Sequence, residues 1–87
     1  MAMTVRQTLQ LTVAALMQAT GDSQHDVAQS LGLTQTQVSR RQAGRTAWTL
    51  DDCDALAFHF GLPVLDLLGG PTRACEALSA ERRRDRS

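Results

Sequence analysis

The sequence is poor in aromatic residues and contains no tyrosine. Two phenylalanines and one tryptophan are the only aromatic side chains among its 87 residues. A core with so little aromatic bulk must be built from Leu, Val and Ala, which suits helices. A chain of this length is expected to form one small domain of modest stability, for which a partner is helpful.

Lysine is also absent, so all nine basic residues are arginines. The formal net charge is zero, which by itself argues weakly against a nucleic-acid partner. The distribution is more informative, because residues 27–50 contain three arginines and no acid. Asp51, Asp52 and Asp54 cluster near the start of a predicted helix, where the helix dipole favours them. A neutral protein can therefore carry one basic face.

The residue patterns of metal centres and common active sites are missing. Cys53 and Cys75 form no Cys-x-x-Cys pair, so we expect no metal site and, in a cytosolic protein, no disulfide. We place Cys53 in the core and Cys75 either in the core or at a dimer interface. No glycine-rich phosphate loop, nucleophile elbow or paired carboxylates in a cleft can be found. We therefore expect neither an enzyme nor a cofactor.

No apolar run approaches the ~20 residues that a membrane-spanning helix needs. The most apolar stretch, residues 9–17, is interrupted by Gln10 and Thr12 and keeps helical spacing. It predicts an amphipathic helix rather than a signal peptide. We expect a cytoplasmic protein of bacterial or phage origin.

Residues 23–45 are the most informative stretch that is present. They predict two short helices joined by a tight turn at Leu31-Gly32-Leu33. Ser23 is a good N-cap for the first helix, with Asp26 able to reach back, and Gly32 can end it. Thr34 is the next N-cap, for a second helix over residues 35–43. This pattern is typical of a DNA-reading helix-turn-helix.

The predicted outward face of this second helix is chemically suited to base edges. Arginine pairs with guanine O6 and N7, glutamine pairs with adenine N6 and N7, and threonine offers a methyl group to thymine. An ordinary solvated face would more often carry Glu and Lys, and this one has neither. The candidate base-reading residues are Gln35, Thr36, Ser39 and Arg40.

At these positions the chain resembles the phage-repressor, Cro-like helix-turn-helix family, also called the xenobiotic-response-element family. The resemblance covers about residues 5–68 and implies a five-helix domain that binds operator DNA as a dimer. It also implies a phosphate contact at Gln24 and base reading at the four candidates above. The residues that carry it are Ser23-Gln24, Val27-Ala28, Leu31-Gly32, Thr34, Val38, Gly44, Leu56-Ala57 and Phe60-Gly61.

Two departures from that family pattern matter. The family often has an Arg–Glu pair where Met17 and Gln42 stand, and both partners are replaced together, which avoids a partly buried unpaired charge. Arg41 stands where the family often has Trp and suggests an added phosphate contact. The full set of candidate phosphate-binding residues is Gln24, Thr34, Gln37, Arg41, Arg45 and Thr46.

The rest of the chain completes an all-α, five-helix, lambda-repressor-like domain over residues 1–70. Helix 1 is expected over residues 5–19, capped by Thr4. Helix 4 begins after the N-cap Thr49, and helix 5 covers residues 64–68 after Pro63. The buried stripe predicted for helix 4 consists of Leu50, Cys53, Leu56, Ala57 and Phe60. We expect Trp48 in the core or an interface, and His25 and His59 on the surface.

Residues 71–87 are predicted to form a sixth helix, from Thr72 to about Arg84, or a tail. Its thin apolar side consists of Ala74, Cys75, Leu78 and Ala80. Three uses stay open: it supports a dimer by packing on the domain, it frays in solution, or it brings arginines to phosphate. The arginines in question are Arg82, Arg83, Arg84 and Arg86.

The sequence therefore predicts a sequence-specific, DNA-binding transcriptional regulator. We expect a repressor that binds a near-palindromic operator in double-stranded DNA as a homodimer. The alternative is a protein-interaction module of the same fold, such as an antitoxin or an anti-repressor-like regulator, with the sixth helix as its working surface.

Overall fold

Six α-helices make up the fold of a computed structural model that describes residues 3–79 and 81–82. Within those residues there is no strand, so the predicted all-α class is confirmed. Helix α5 starts directly after Pro63, as predicted. The helices are α1 (Val5–Thr20), α2 (Gln24–Leu31), α3 (Gln35–Gln42), α4 (Leu50–Phe60), α5 (Val64–Leu68) and α6 (Pro71–Ala77).

The first four helices begin in the same way, with a reciprocal capping box. In each, the cap hydroxyl accepts from a backbone N–H three residues on, and the side chain there accepts from the N–H of the cap. An N-cap of this kind is worth about 1 kcal/mol over alanine. The four cap pairs are Thr4 with Gln7, Ser23 with Asp26, Thr34 with Gln37, and Thr49 with Asp52. The four predicted N-caps are thereby confirmed.

The connection between α2 and α3 is the tight turn that the sequence predicts. Gly32 has a φ of 70°, a left-handed conformation in which a side chain is strained. The next N–H, from Leu33, bonds to the carbonyl oxygen of Ala28 at 3.0 Å, and the Leu33 side chain packs against the core. The turn therefore ends α2 and starts α3 within three residues.

One hydrophobic core holds the helices together. Helix α1 contacts α3, α5 and α6, and α2 contacts α3 and α4. The largest fully buried side chains include Phe60, Leu16, Leu56 and Leu67. Trp48 is also buried, as predicted. Because α3 touches both α1 and α2, its position depends on two neighbours.

Helix α6 differs from its prediction in length. It ends at Ala77, and Leu78 is already extended, with φ −65° and ψ 137°, although its side chain is buried. After Leu78 the chain turns, and Arg82 forms an ion pair with Asp22 in the α1–α2 loop. Ala74 and Leu78 belong to the core, so the described part of this segment packs on the domain. Ala80, Arg83, Arg84 and Arg86 lie outside the described residues.

Two predictions for α4 were wrong. Leu50 is 84% exposed rather than buried, because Cys53 is the first residue of α4 that faces the core. His59 does not lie on the open surface: its side chain is 13% exposed, and its Nε2 lies 2.9 Å from Oδ2 of Asp22. The α1–α2 loop and Arg82 cover this side of α4.

The described part of the chain contains no helix with the length and apolar character that crossing a bilayer requires.

Candidate nucleic-acid interface

Helix α3 exposes most of its polar side chains to solvent, while Arg41 and Gln42 are half-buried. Of its eight residues only Val38 is buried, and this residue faces the core. The predicted base-reading residues are all exposed, as are the predicted phosphate contacts Thr34, Gln37, Arg45 and Thr46. The side chain of Thr34 and that of Gln37 also form the capping box of α3. The outward-facing placement of this helix is therefore as predicted.

A shallow, open cleft lies on this surface. Its volume is about 300 Å³, and it is lined by Gln24, Gln35, Thr36, Ser39 and Arg40. The structure thus brings together the four candidate base-reading residues and one candidate phosphate contact. Amides, hydroxyls and a guanidinium are the functional groups in this cleft, and no carboxylate lines it.

Gln24 is fixed in this cleft by Gln42 at the other end of the helix pair. Its Nε2 donates to Oε1 of Gln42 at 2.8 Å, in a partly buried contact. The bond joins the start of α2 to the end of α3. The partner of Gln42 is therefore a residue of α2, whereas the family pattern suggested the α1 position that Met17 occupies. A neutral pair of amides here needs no buried charge.

Helix α1 donates two further hydrogen bonds, one to the last residue of α3 and one to the loop that follows it. Nε2 of Gln10 donates to the carbonyl oxygen of Gln42 at 2.8 Å, and a terminal nitrogen of Arg6 donates to that of Gly44 at 2.7 Å. Carbonyl groups in the last turn of a helix have no partner within the helix. Sequence reasoning missed this contact. The available signal was a pair of long donors one turn apart, outside the apolar stripe of α1.

Arg41 has partners within the domain. Its Nε donates to Oδ2 of Asp52 at 2.9 Å, and its Nη1 donates to the carbonyl oxygen of Gln37 at 3.3 Å. The guanidinium carbon lies 5.9 Å from the ring centroid of Trp48, and the side chain is 13% exposed. Its predicted phosphate contact stays a prediction, and it would have to compete with these interactions.

Arg40 and Arg45 differ from Arg41 in this respect. Both side chains are exposed, and neither guanidinium forms a hydrogen bond or an ion pair within residues 3–79 and 81–82. Because the segment around them carries no acid, their charges stay available on the α3 side of the domain. In the same described ranges, no three His, Cys, Asp or Glu side chains are grouped so that they could hold a metal ion.

The fold and this surface define a small all-helical domain with an exposed, carboxylate-free polar helix. The family model of the BetR domain matches residues 1–83, and the chain belongs to the BetR domain family. No curated protein and no solved structure matches the chain. The resemblance to the Cro-like family stays a prediction.

Proposed function

We propose that this protein is a sequence-specific, DNA-binding transcriptional regulator whose α3 enters the major groove. The observation that carries the proposal is the cleft in which Gln24, Gln35, Thr36, Ser39 and Arg40 meet. All the side chains of this set can donate hydrogen bonds, and base edges and phosphates offer acceptors. Membership of the BetR domain family supports a regulatory role.

The exposure of the four α3 side chains supports the proposed base-reading roles. Arg40 is free to pair bidentately with a guanine, while Gln35 suits an adenine, and Thr36 and Ser39 supply short hydroxyls. Gln24, held by Gln42, is positioned to contact a phosphate at the start of α2. Thr34, Gln37, Arg45 and Thr46 surround this set and contribute further backbone contacts, together with Arg41.

One domain of this size covers a single half-site. The proposal therefore includes a homodimer on a near-palindromic operator, with half-sites ~34–36 Å apart. Repression then follows from occupation of a promoter. The proposal assigns no catalysis to the chain and places it in the cytoplasm of a bacterium, bound to double-stranded DNA.

The experiment that tests this proposal starts with selection of bound fragments from random double-stranded DNA. Gel shifts on the selected site then compare Arg40→Ala with Arg45→Ala. Loss of one bidentate pair should cost Arg40→Ala about 1–3 kcal/mol and relax the preference at one base pair. Arg45→Ala should weaken binding to all sequences alike and reduce the salt slope by about 1. Equal affinity of both variants and the parent protein contradicts the assignment.

The alternative proposal is a protein-interaction module of the same fold, such as an antitoxin or an anti-repressor-like regulator. The internal engagement of Arg41 and the zero net charge favour it, because both reduce the attraction to phosphate. A gel shift over a range of salt concentrations discriminates between the two. Absence of binding to any DNA at low salt supports the protein partner.

A further inference from the structure

The outward side of α4 has an unusual composition. Four residues of this helix are exposed, namely Leu50, Asp51, Asp54 and Phe58, and together we call them the outer face of α4. Leu50 is 84% and Phe58 88% exposed. Phe58 is thus the one aromatic side chain of the three that does not serve the core. Single exposed apolar side chains are ordinary on a protein surface, so the distinguishing feature of this face is that two large ones share it with two carboxylates.

The spacing along the helix places these groups in one row. Leu50, Asp54 and Phe58 follow one another at intervals of four, so they lie one above the other. The two apolar residues are separated by eight positions, which is about 12 Å along the axis. The carboxylates of Asp51 and Asp54 form no hydrogen bond or ion pair with any described residue. The face therefore presents two apolar anchors with two free carboxylates between them.

We infer that the outer face of α4 is a docking surface for a basic amphipathic helix of another protein. Charge complementarity selects this partner. Arginines or lysines of the partner helix would meet Asp51 and Asp54, and one of them can lie over the ring of Phe58. Apolar side chains about two turns apart on the partner match Leu50 and Phe58, in the spacing by which helices are usually recognised.

The same charges argue against other occupants. The outer face carries no cation, so a symmetric contact between the α4 helices of two copies would place their carboxylates against each other. DNA and anionic lipid surfaces are likewise repelled by the two carboxylates. The docking surface is thus separate in chemistry from the exposed side of α3, and the inference does not depend on the proposed function.

The test uses the full chain, labelled with ¹⁵N, and a synthetic helical peptide of 15 to 20 residues as the probe. The peptide carries leucines seven or eight positions apart, with arginines between them on the same face. A matched peptide has glutamates in place of the arginines. We expect the arginine peptide to bind with chemical-shift changes centred on α4, and the glutamate peptide to bind at least ~10-fold more weakly.

Variants locate the contact. Phe58→Ala should weaken binding of the arginine peptide by about tenfold or more, because a central aromatic anchor is lost. Leu65→Ala is the matched control: this residue is 69% exposed but lies on α5, and its replacement should leave the affinity unchanged. The double variant Asp51→Asn, Asp54→Asn should bind the two peptides equally well. Phe58→Ala should still bind the selected DNA with the affinity of the parent protein.

Several results would overturn the inference. The first two are that the parent protein shows no saturable binding of the arginine peptide, or that it binds the two peptides with equal affinity. The third is that Leu65→Ala and Phe58→Ala lose the same affinity for the arginine peptide. Sedimentation of Phe58→Ala tests the remaining occupant. If this substitution converts a dimer of the parent protein to a monomer, the surface is occupied by a second copy and the basic-helix assignment is wrong.

Discussion

Arg40 and Arg41 are neighbours in the sequence but differ in what surrounds them. Successive residues of a helix point about 100° apart, so one guanidinium faces solvent and the other faces the start of α4. The Arg41–Asp52 pair lies at 13% exposure on each side, next to Trp48. Removal of either partner would leave the other charge largely desolvated. The two arginines therefore have different surroundings, which a count of basic residues cannot distinguish.

Asp26 makes a prediction at the residue scale, on the pH dependence of stability. The backbone N–H of Ser23, followed by its hydroxyl, holds the pKa of Asp26 below its ordinary value of 3.8. A carboxyl whose pKa is lowered by folding stabilises the protein above its unfolded-state pKa, and this stabilisation is lost as the pH falls through the folded-state value. Asp26→Asn should lower the free energy of unfolding at neutral pH, and the difference should shrink below pH about 4.

Urea unfolding followed by the fluorescence of Trp48 measures this effect, since Trp48 is the only tryptophan and is buried. Asp54→Asn is the control, because Asp54 is an exposed carboxylate with no hydrogen bond to the described residues. A difference for Asp26→Asn that stays constant down to pH 2 would contradict the explanation.

At the scale of elements, the starts of the helices were predictable and their relative positions were not. Thr4, Ser23, Thr34 and Thr49 could be identified as caps because a capping box involves residues only three positions apart. The end of α6 could not be predicted in this way. Leu78 fits the apolar stripe of a helix that continues past Ala77. Instead the backbone becomes extended at Leu78, and its side chain packs into the common core, which local spacing does not predict.

The hydrogen bond from Gln10 of α1 to the last residue of α3 gives the prediction at this scale. Gln10→Ala removes the donor to the carbonyl oxygen of Gln42, and it should lower the free energy of unfolding by about 0.5–1.5 kcal/mol. It should also weaken binding to the selected DNA without changing which bases are preferred, since α3 keeps the side chains that we propose to read bases. Gln18→Ala is the matched control, because Gln18 is on the same helix but its side chain is exposed and forms no hydrogen bond to the described residues.

Urea unfolding and gel shifts measure the two effects of Gln10→Ala separately. Stability equal to that of Gln18→Ala would show that the bond contributes nothing to the position of α3. A change in base preference, by contrast, would show that Gln10 acts on the proposed base-reading residues themselves.

At the scale of the whole molecule, Asp22 connects segments that are far apart in the chain. Its Oδ2 lies 2.9 Å from Nε2 of His59 and 3.1 Å from a terminal nitrogen of Arg82. Arg82 also donates to the carbonyl oxygen of His59 at 3.2 Å. The α1–α2 loop, the end of α4 and the segment after α6 are thereby joined at one carboxylate that is 17% exposed.

Asp22→Asn is the corresponding prediction. An amide keeps the shape of the side chain but removes the charge that Arg82 meets, so the free energy of unfolding should fall by about 1–2 kcal/mol. Thermal unfolding of this variant, compared with Asp54→Asn, measures the loss. Arg82→Ala should remove part of the same energy, and the double variant should be less destabilised than the sum of the two single variants. Additive losses would mean that the two residues act independently.

The sequence by itself determined the helix starts, the turn at Gly32 and the outward direction of α3. These features depend on residues within one or two turns of each other, whose spacing is visible in the chain. The tertiary structure decided the partners of Arg41, Gln24, Gln10 and His59, the last of which is 37 positions from Asp22. Such contacts arise only when the common core brings distant helices together, because hydrogen bonds extend over about 3 Å and their partners are set by packing.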